Sequence, residues 1–295
     1  MGVIMSGLLI CIFALLLPIT AAADLSDGLV AFYPFSSNTI DASGNGNDCQ
    51  NFGATLTSDR FGQNNSAYYF DGSTYLQCAV PGGFPLGNAP RSISGWLYRE
   101  SESIDQGILQ YGTASNTRMC GLILSLNSPD RLYFYGHNQD HASNSVLPMN
   151  SWTHFVMTYN GTTVELFLNG NPDGSRSRSL GTVMSGEGFT IGVRPWAYYW
   201  TGKLDDIRVY NRVLTQQEID QLYTMIPLPA PQLAISRDGA DLVRLDWDAL
   251  PGAASYNVYS ADEPYPYRRS GLVKQLESAR TSGNIRLAAA VSFSE

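Results

Sequence analysis

Four aromatic rings fall within seven residues at Arg194-Pro195-Trp196-Ala197-Tyr198-Tyr199-Trp200. Flat rings beside a turn can stack on the C–H face of a sugar, with amides and carboxylates serving its hydroxyls. The same rings could instead cover a sheet edge. Of the three histidines, His137 and His141 stand four apart, a zinc-chelating spacing on a helix. No Glu follows His137 and the flanks read as loop, so solvated loop residues are expected. His154 alternates within a strand-like run beside Trp152 and reads as packed and hydrogen-bonded. The chain has no Gly-x-Ser-x-Gly, phosphate loop or Cys-x-x-Cys, so those chemistries lack their motifs.

The elements that would hold such loops are β-strands. Trp152 to Tyr159 is followed by Asn160-Gly161, and Thr163 to Leu168 by Asn169-Gly170. Asn-Gly between short β-rich runs predicts hairpins. Further strand-like runs are Gly28–Phe35, Ala67–Gly72, Tyr75–Cys78, Ser92–Tyr98, Gly107–Gly112, Met119–Leu124, Arg131–Tyr135 and Phe189–Gly192. Asp71-Gly72 also reads as a hairpin signal. Gly202 to Leu214 reads as strand and turn, and then Thr215 opens a helix with Glu218 three residues on, a capping box. Leu214, Ile219, Leu222 and Tyr223 give that helix an apolar side. Short strands separated by turn signals argue a sandwich or barrel.

Length and charge bound the rest. The chain's 295 residues have room for one sandwich of ~200 residues plus a smaller piece. Its net charge of −8 repels phosphate backbones and makes nucleic acid a poor partner. Leu8 to Leu17 is an apolar run too short to span a membrane. Ala21 and Ala23 offer a small-residue cleavage site before Asp24, so residues 1–23 read as a signal peptide, without the usual basic start. Export to a secreted or cell-surface location is expected, with no membrane span in the mature chain. Cys11 lies in that leader, which leaves Cys49, Cys78 and Cys120. An exported chain permits a disulfide, and the sequence does not fix its pairing.

Three opening pieces and the closing stretch carry a resemblance. They are the Gly28–Phe35 strand, the loop Asp41-Ala42-Ser43-Gly44-Asn45-Gly46-Asn47-Asp48, the turn Phe70-Asp71-Gly72, and Gly202 to Tyr223. In content and order they resemble the laminin-G-like, concanavalin A-like lectin/glucanase family over residues 27–224. The resemblance implies an all-β fold, an antiparallel jelly-roll β-sandwich over 24–224. By family position Trp200 packs inside, while Trp196, Tyr198 and Tyr199 are ligand-contact candidates. The family places the opening strands together, which implies a Cys49–Cys78 disulfide with Cys120 free. Family members often hold one structural calcium. The matching positions are Asp41, Asn45, Asp71 and Asp205, since calcium takes 6–8 oxygens from flexible loops. Adjacent Asp206 would point to the opposite face of its strand and bond a loop backbone or an Arg. Glucanases of this fold carry alternating carboxylates on one strand. Glu100, Glu102 and Asp105 do not form that pattern, so no catalytic residue is assigned.

Residues 225–231, with three prolines, read as a stiff linker. Leu242–Asp248 and Pro251–Tyr259 resemble the first strands of a fibronectin type III module. From Gln232 the chain is too short for a whole one. The 232–295 segment is thus expected to be a partial β-sandwich with a poorly ordered end, partly helical over Leu272 to Ala290. The reading that follows is a secreted, non-catalytic binding module for carbohydrate or glycoprotein surfaces. The alternatives are a protein–protein adhesion module and a glycan-cleaving enzyme.

Overall fold

The computed structural model describes residues 24–225 except 79–81, 103–104, 126–127, 185 and 187, and five strands between Leu233 and Ala288. The export segment and residues 226–231 of the linker lie outside the described residues.

The first unit opens with β1 (Leu29–Tyr33), β2 (Gln50–Phe52), β3 (Thr55–Thr57), β4 (Ala67–Asp71) and β5 (Tyr75–Cys78). Next come β6 (Arg91–Arg99), β7 (Gln106–Gly112), β8 (Met119–Ser125), β9 (Ser128–Tyr135) and β10 (His141–Ala142). Then follow β11 (Trp152–Tyr159), β12 (Thr163–Leu168), β13 (Asn171–Ser177) and β14 (Phe189–Ile191). β15 (Val193–Arg194), β16 (Tyr198–Tyr199), β17 (Thr201–Tyr210) and α1 (Gln216–Thr224) complete it.

These strands build two antiparallel sheets. One has eight strands, ordered β13-β12-β11-β6-β17-β4-β3 with β1 also on β17; the other has seven, ordered β10-β9-β8-β7-β14-β5-β2. Period-two alternation turns one face of each sheet inward. Phe70, Leu97, Phe155 and Leu204 of the first sheet meet Leu76, Leu109, Phe134 and Ile191 of the second in one apolar core. Each such side chain contributes ~1.5–3 kcal/mol when fully buried. The architecture is the expected jelly-roll β-sandwich, and Trp200 is in its core, fully buried.

Both Asn-Gly turns make hairpins, β11–β12 and β12–β13. Asp71-Gly72 does not. β4 pairs with β3 and β17 in one sheet, while β5 pairs with β2 and β14 in the other. Asp71 instead accepts from the Ser73 backbone N–H and hydroxyl, and the Gly72 N–H donates to the Trp200 carbonyl. That corner carries the chain from one sheet to the other.

The capping box is formed. The Glu218 N–H donates to Thr215 Oγ1, and the Thr215 N–H donates back to Glu218 Oε2 at 2.7 Å. Arg212 pairs with the same carboxylate at 2.6 Å. The helix buries Ile219 and Leu222 and lays Tyr223 on Trp96, ring centroids 5.9 Å apart.

Cys49 and Cys78 form the disulfide, and Cys120 is free and buried. The bridge closes a segment with a sequence separation of 29, beside the β2–β5 pair it reinforces. Chain-entropy reasoning gives it ~3–4 kcal/mol. The Cys49→Ala/Cys78→Ala variant is expected to lose that much in urea unfolding. A loss below ~1 kcal/mol would show that the β2–β5 pairing alone holds these strands.

A second compact unit begins at Met225. Its strands are β18 (Leu233–Arg237), β19 (Leu242–Asp248), β20 (Ser255–Ser260), β21 (Gly271–Glu277) and β22 (Ser282–Ala288). They form a sheet β18-β19-β22 and a pair β20-β21. The expected helix over Leu272 to Ala290 is thus replaced by two strands. Seven-residue pairing of β22 with β19 supplies the backbone partners a helix would have supplied internally. Residues 261–270, 278–281 and 289–295, part of the end expected to be poorly ordered, lie outside the described residues.

Candidate functional site

The outward face of the seven-stranded sheet carries a polar row. Gln77 on β5 stands opposite Thr190 on β14, and Thr190 opposite Gln110 on β7. Gln110 stands opposite Gly121 on β8, and Gly121 opposite Tyr135 on β9. The strand neighbours of the three polar residues are Leu76, Cys78, Phe189, Ile191, Leu109 and Tyr111, all in the core. Alternation therefore sends Gln77, Thr190 and Gln110 outward.

A hairpin, β15–β16, folds onto that face. Two glycines permit it. Gly192 has φ +85°, and a Cβ there would stand 2.3 Å from Phe70. A Cβ on Gly107 would come within 2.2 Å of the Arg194 backbone nitrogen. The Thr190 hydroxyl donates to the Val193 carbonyl at 3.3 Å, tying hairpin to sheet. Between them lies a cleft of about 220 Å³. Tyr75, Gln77, Gln110 and Thr190 line it from the sheet, and Val193 to Ala197 and Tyr199 from the hairpin.

Trp196 and Tyr199 therefore share one cleft. Trp196 is 63% exposed and sits at the hairpin tip with φ +68°. Tyr198 does not line the cleft; its ring lies under the Arg194 guanidinium at 4.3 Å. Arg194 pairs with Asp105 at 2.6 Å. Gln110 is only 5% exposed, and its Oε1 has no hydrogen-bond partner among the described residues. Such a buried acceptor costs ~1–3 kcal/mol until a donor reaches it. Burial pushes the Tyr135 phenol up from its ordinary value, against the pull of Arg194, so it is a neutral hydroxyl at pH 7. Tyr75, Gln77, Gln110 and Thr190 were not singled out from the sequence. Their alternation with core residues was visible there, but not the strand pairing that aligns them.

The four candidate calcium ligands do not fit one ion. Asp41 Oδ1 accepts the Phe32 and Ser43 N–H groups, and Oδ2 accepts the Asn47 N–H and the Ser43 hydroxyl. Four donors fill its two oxygens. Asn45 turns its amide nitrogen to the Leu29 and Val30 carbonyls, which closes the loop onto β1. Asp71 serves Ser73 at the sheet corner, opposite Thr201 on β17. Asp205 lies four residues further along β17, ~13 Å at strand rise. Its carboxylate is 2.8 Å from Arg60 Nη1, so a cation is already present. Among the described residues no group of three or more His, Cys, Asp or Glu side chains could hold a metal.

Asp206 bonds an Arg, as expected, but it does not point away from Asp205. It is 2.8 Å from Arg60 Nη2, so one guanidinium bridges both carboxylates. A bulge between Asp205 and Arg208, with Asp206 at φ +52°, breaks the alternation. Burial and the Asp206 charge raise the Asp205 carboxyl above its ordinary range, with Arg60 opposing. Arg60 also lies 4.5 Å over the Trp96 ring. Here His154 is packed as expected, 5.1 Å from Trp96, but its Nδ1 has no hydrogen-bond partner among the described residues.

The family profile described as the concanavalin A-like lectin/glucanases superfamily matches residues 70–220. The chain belongs to this superfamily. Among curated proteins none matches the sequence. Solved structures share the superfamily fold. Domain 4 of AbnA, a GH43 extracellular arabinanase from Geobacillus stearothermophilus in complex with arabinotriose, is 20% identical with a TM-score of 0.55; the match covers 66% of this chain and 98% of that one. The binding domain of Paraclostridial Mosquitocidal Protein 1 is 14% identical with a TM-score of 0.55, covering 85% and 70%. A botulinum neurotoxin type C structure, from work on cell entry through two ganglioside molecules, is 14% identical with a TM-score of 0.53, covering 69% and 52%. No helix among the described residues is long and apolar enough to cross a membrane.

Proposed function

We propose that the first unit is a secreted or cell-surface carbohydrate-binding module that binds without cleaving. The observation that carries this is the cleft under the β15–β16 hairpin. It sets Trp196 and Tyr199 beside a floor that includes Gln77, Gln110 and Thr190. A sugar offers C–H faces to such rings and hydroxyls to such amides. The likeness to an arabinanase domain in complex with arabinotriose and to a neurotoxin that interacts with gangliosides supports the ligand class. None of the described residues lining the cleft is a carboxylate, and glycoside hydrolysis uses a pair of them. The leader and the Cys49–Cys78 bridge support export, since disulfides persist in oxidising compartments.

A glycan array probed with the purified chain tests the reading, and binding to no glycan would remove it. Trp196→Ala is expected to weaken binding about tenfold, ~1.4 kcal/mol, with little change in melting temperature. Trp96→Ala, which empties a buried site under α1, costs ~3–5 kcal/mol. An equally large melting loss in Trp196→Ala would mean that this ring covers the sheet edge instead.

A further inference from the structure

We infer that the cleft is the middle of a longer groove that takes an extended neutral glycan chain laid across the strands. This rests on the carbohydrate reading above. The hairpin forms one wall, with an aromatic cluster at either end. At one end Phe52 stacks on Tyr75, centroids 4.6 Å apart and planes 3° from parallel, and Tyr75 meets Tyr199 at 6.1 Å. At the other, Trp196 faces His137 at 6.3 Å, and His137 faces Tyr135 at 5.7 Å. Between the ends runs the in-register row Gln77, Thr190, Gln110, Gly121. Gly121 has no side chain, so the row has no ridge at β8.

The span decides between one sugar and several. From β2, which carries Phe52, to β9, which carries Tyr135, the sheet order makes five steps. At ~4.8 Å per strand that is ~24 Å, several times the width of one sugar ring. Phe52 lies outside the cleft lining yet is 36% exposed beside it, a surface a lone monosaccharide in the cleft would leave unused. Charge decides between neutral and acidic chains. Arg194 is the one charged residue among those lining the cleft, and Asp105 already neutralises it at 2.6 Å. An anionic sugar would compete with that carboxylate.

The test is titration calorimetry of the purified chain with arabino-, xylo- and cello-oligosaccharides of one to six units, and with sialylated and uronic-acid oligosaccharides. At least one neutral series is expected to gain about tenfold or more in affinity from one unit to four. Phe52→Ala, at an exposed edge position, is expected to lower affinity for the six-unit chain severalfold more than for the two-unit chain. Unchanged melting would show that the variant folds. Equal affinity for one and six units would overturn the extended groove and leave the carbohydrate reading standing. Preference for the acidic sugars would overturn its neutrality. Binding to none of these, with an empty glycan array, would remove the groove and the carbohydrate reading together.

Discussion

Arg60→Met is expected to cost the first unit ~3–5 kcal/mol, the effect of leaving buried charge without its partner. The Arg60 side chain is 5% exposed, Asp205 3% and Asp206 13%. One guanidinium holds both carboxylates at 2.8 Å and lies over Trp96 at 4.5 Å. Methionine keeps much of the apolar stem and removes the charge, so the loss reports the ion bridge more than packing. The double variant Arg60→Met/Asp205→Asn should recover part of the loss, because a neutral amide is cheaper to bury than an unpaired carboxylate. Urea unfolding of the three proteins is the measurement. A single-variant loss below ~1 kcal/mol would place the cluster among surface pairs of little worth. A thermal melt of the wild type with calcium and with chelator addresses the calcium set. Equal melting midpoints with calcium and with chelator are expected, since Arg60 occupies the position a cation would take beside Asp205.

The misread Asp205–Asp206 pair shows what the sequence carried and what it did not. Strand alternation is a local rule that located most of the longer strands, while Asn-Gly turns located both hairpins and a capping box located the helix. Alternation failed at Asp206 because a bulge forms through pairing with β6, far away in the sequence, and nothing in Leu204 to Arg208 announces it. Asp71-Gly72 failed in the same way. Turn residues report that the chain bends, not whether the next strand joins the same sheet. The short edge strands β2, β3, β10, β15 and β16 were missed because two or three residues hold too few alternations to show a period. The site was half legible. Trp196 and Tyr199 stood out by composition, whereas Gln77, Thr190 and Gln110 become one surface only when β5, β14 and β7 align. The calcium set followed from the family resemblance alone. The hydrogen bonds around Asp41 and the Arg60 bridge are particulars of this chain.

The same buried cluster predicts a dependence on pH, carried by His154. Its side chain is almost wholly buried between Trp96 and Tyr223. Burial first, then the Arg208 and Arg60 charges, lower its pKa to about 3 from 6.5. The folded protein therefore keeps the imidazole neutral while the unfolded chain takes up a proton. The unfolded state binds more protons below pH 6.5, so stability falls as pH falls. The contribution is intact above pH 6.5 and is lost progressively down to about pH 3. Between pH 7 and pH 4 the loss is ~3 kcal/mol. Asp205 works in the opposite sense. Its raised carboxyl protonates more readily in the folded state, so acidification stabilises through that group and hides part of the histidine effect. The measurement is therefore a difference. Urea unfolding of the wild type and of His154→Gln is compared at pH 7, 5.5 and 4. Glutamine cannot titrate, and Asp205 remains in both proteins, so its share largely cancels. His154→Gln is expected to lose ~3 kcal/mol less than the wild type over this range. Parallel pH profiles would mean that the imidazole finds a proton acceptor or water inside the fold, and the dry, neutral packing against Trp96 would be wrong.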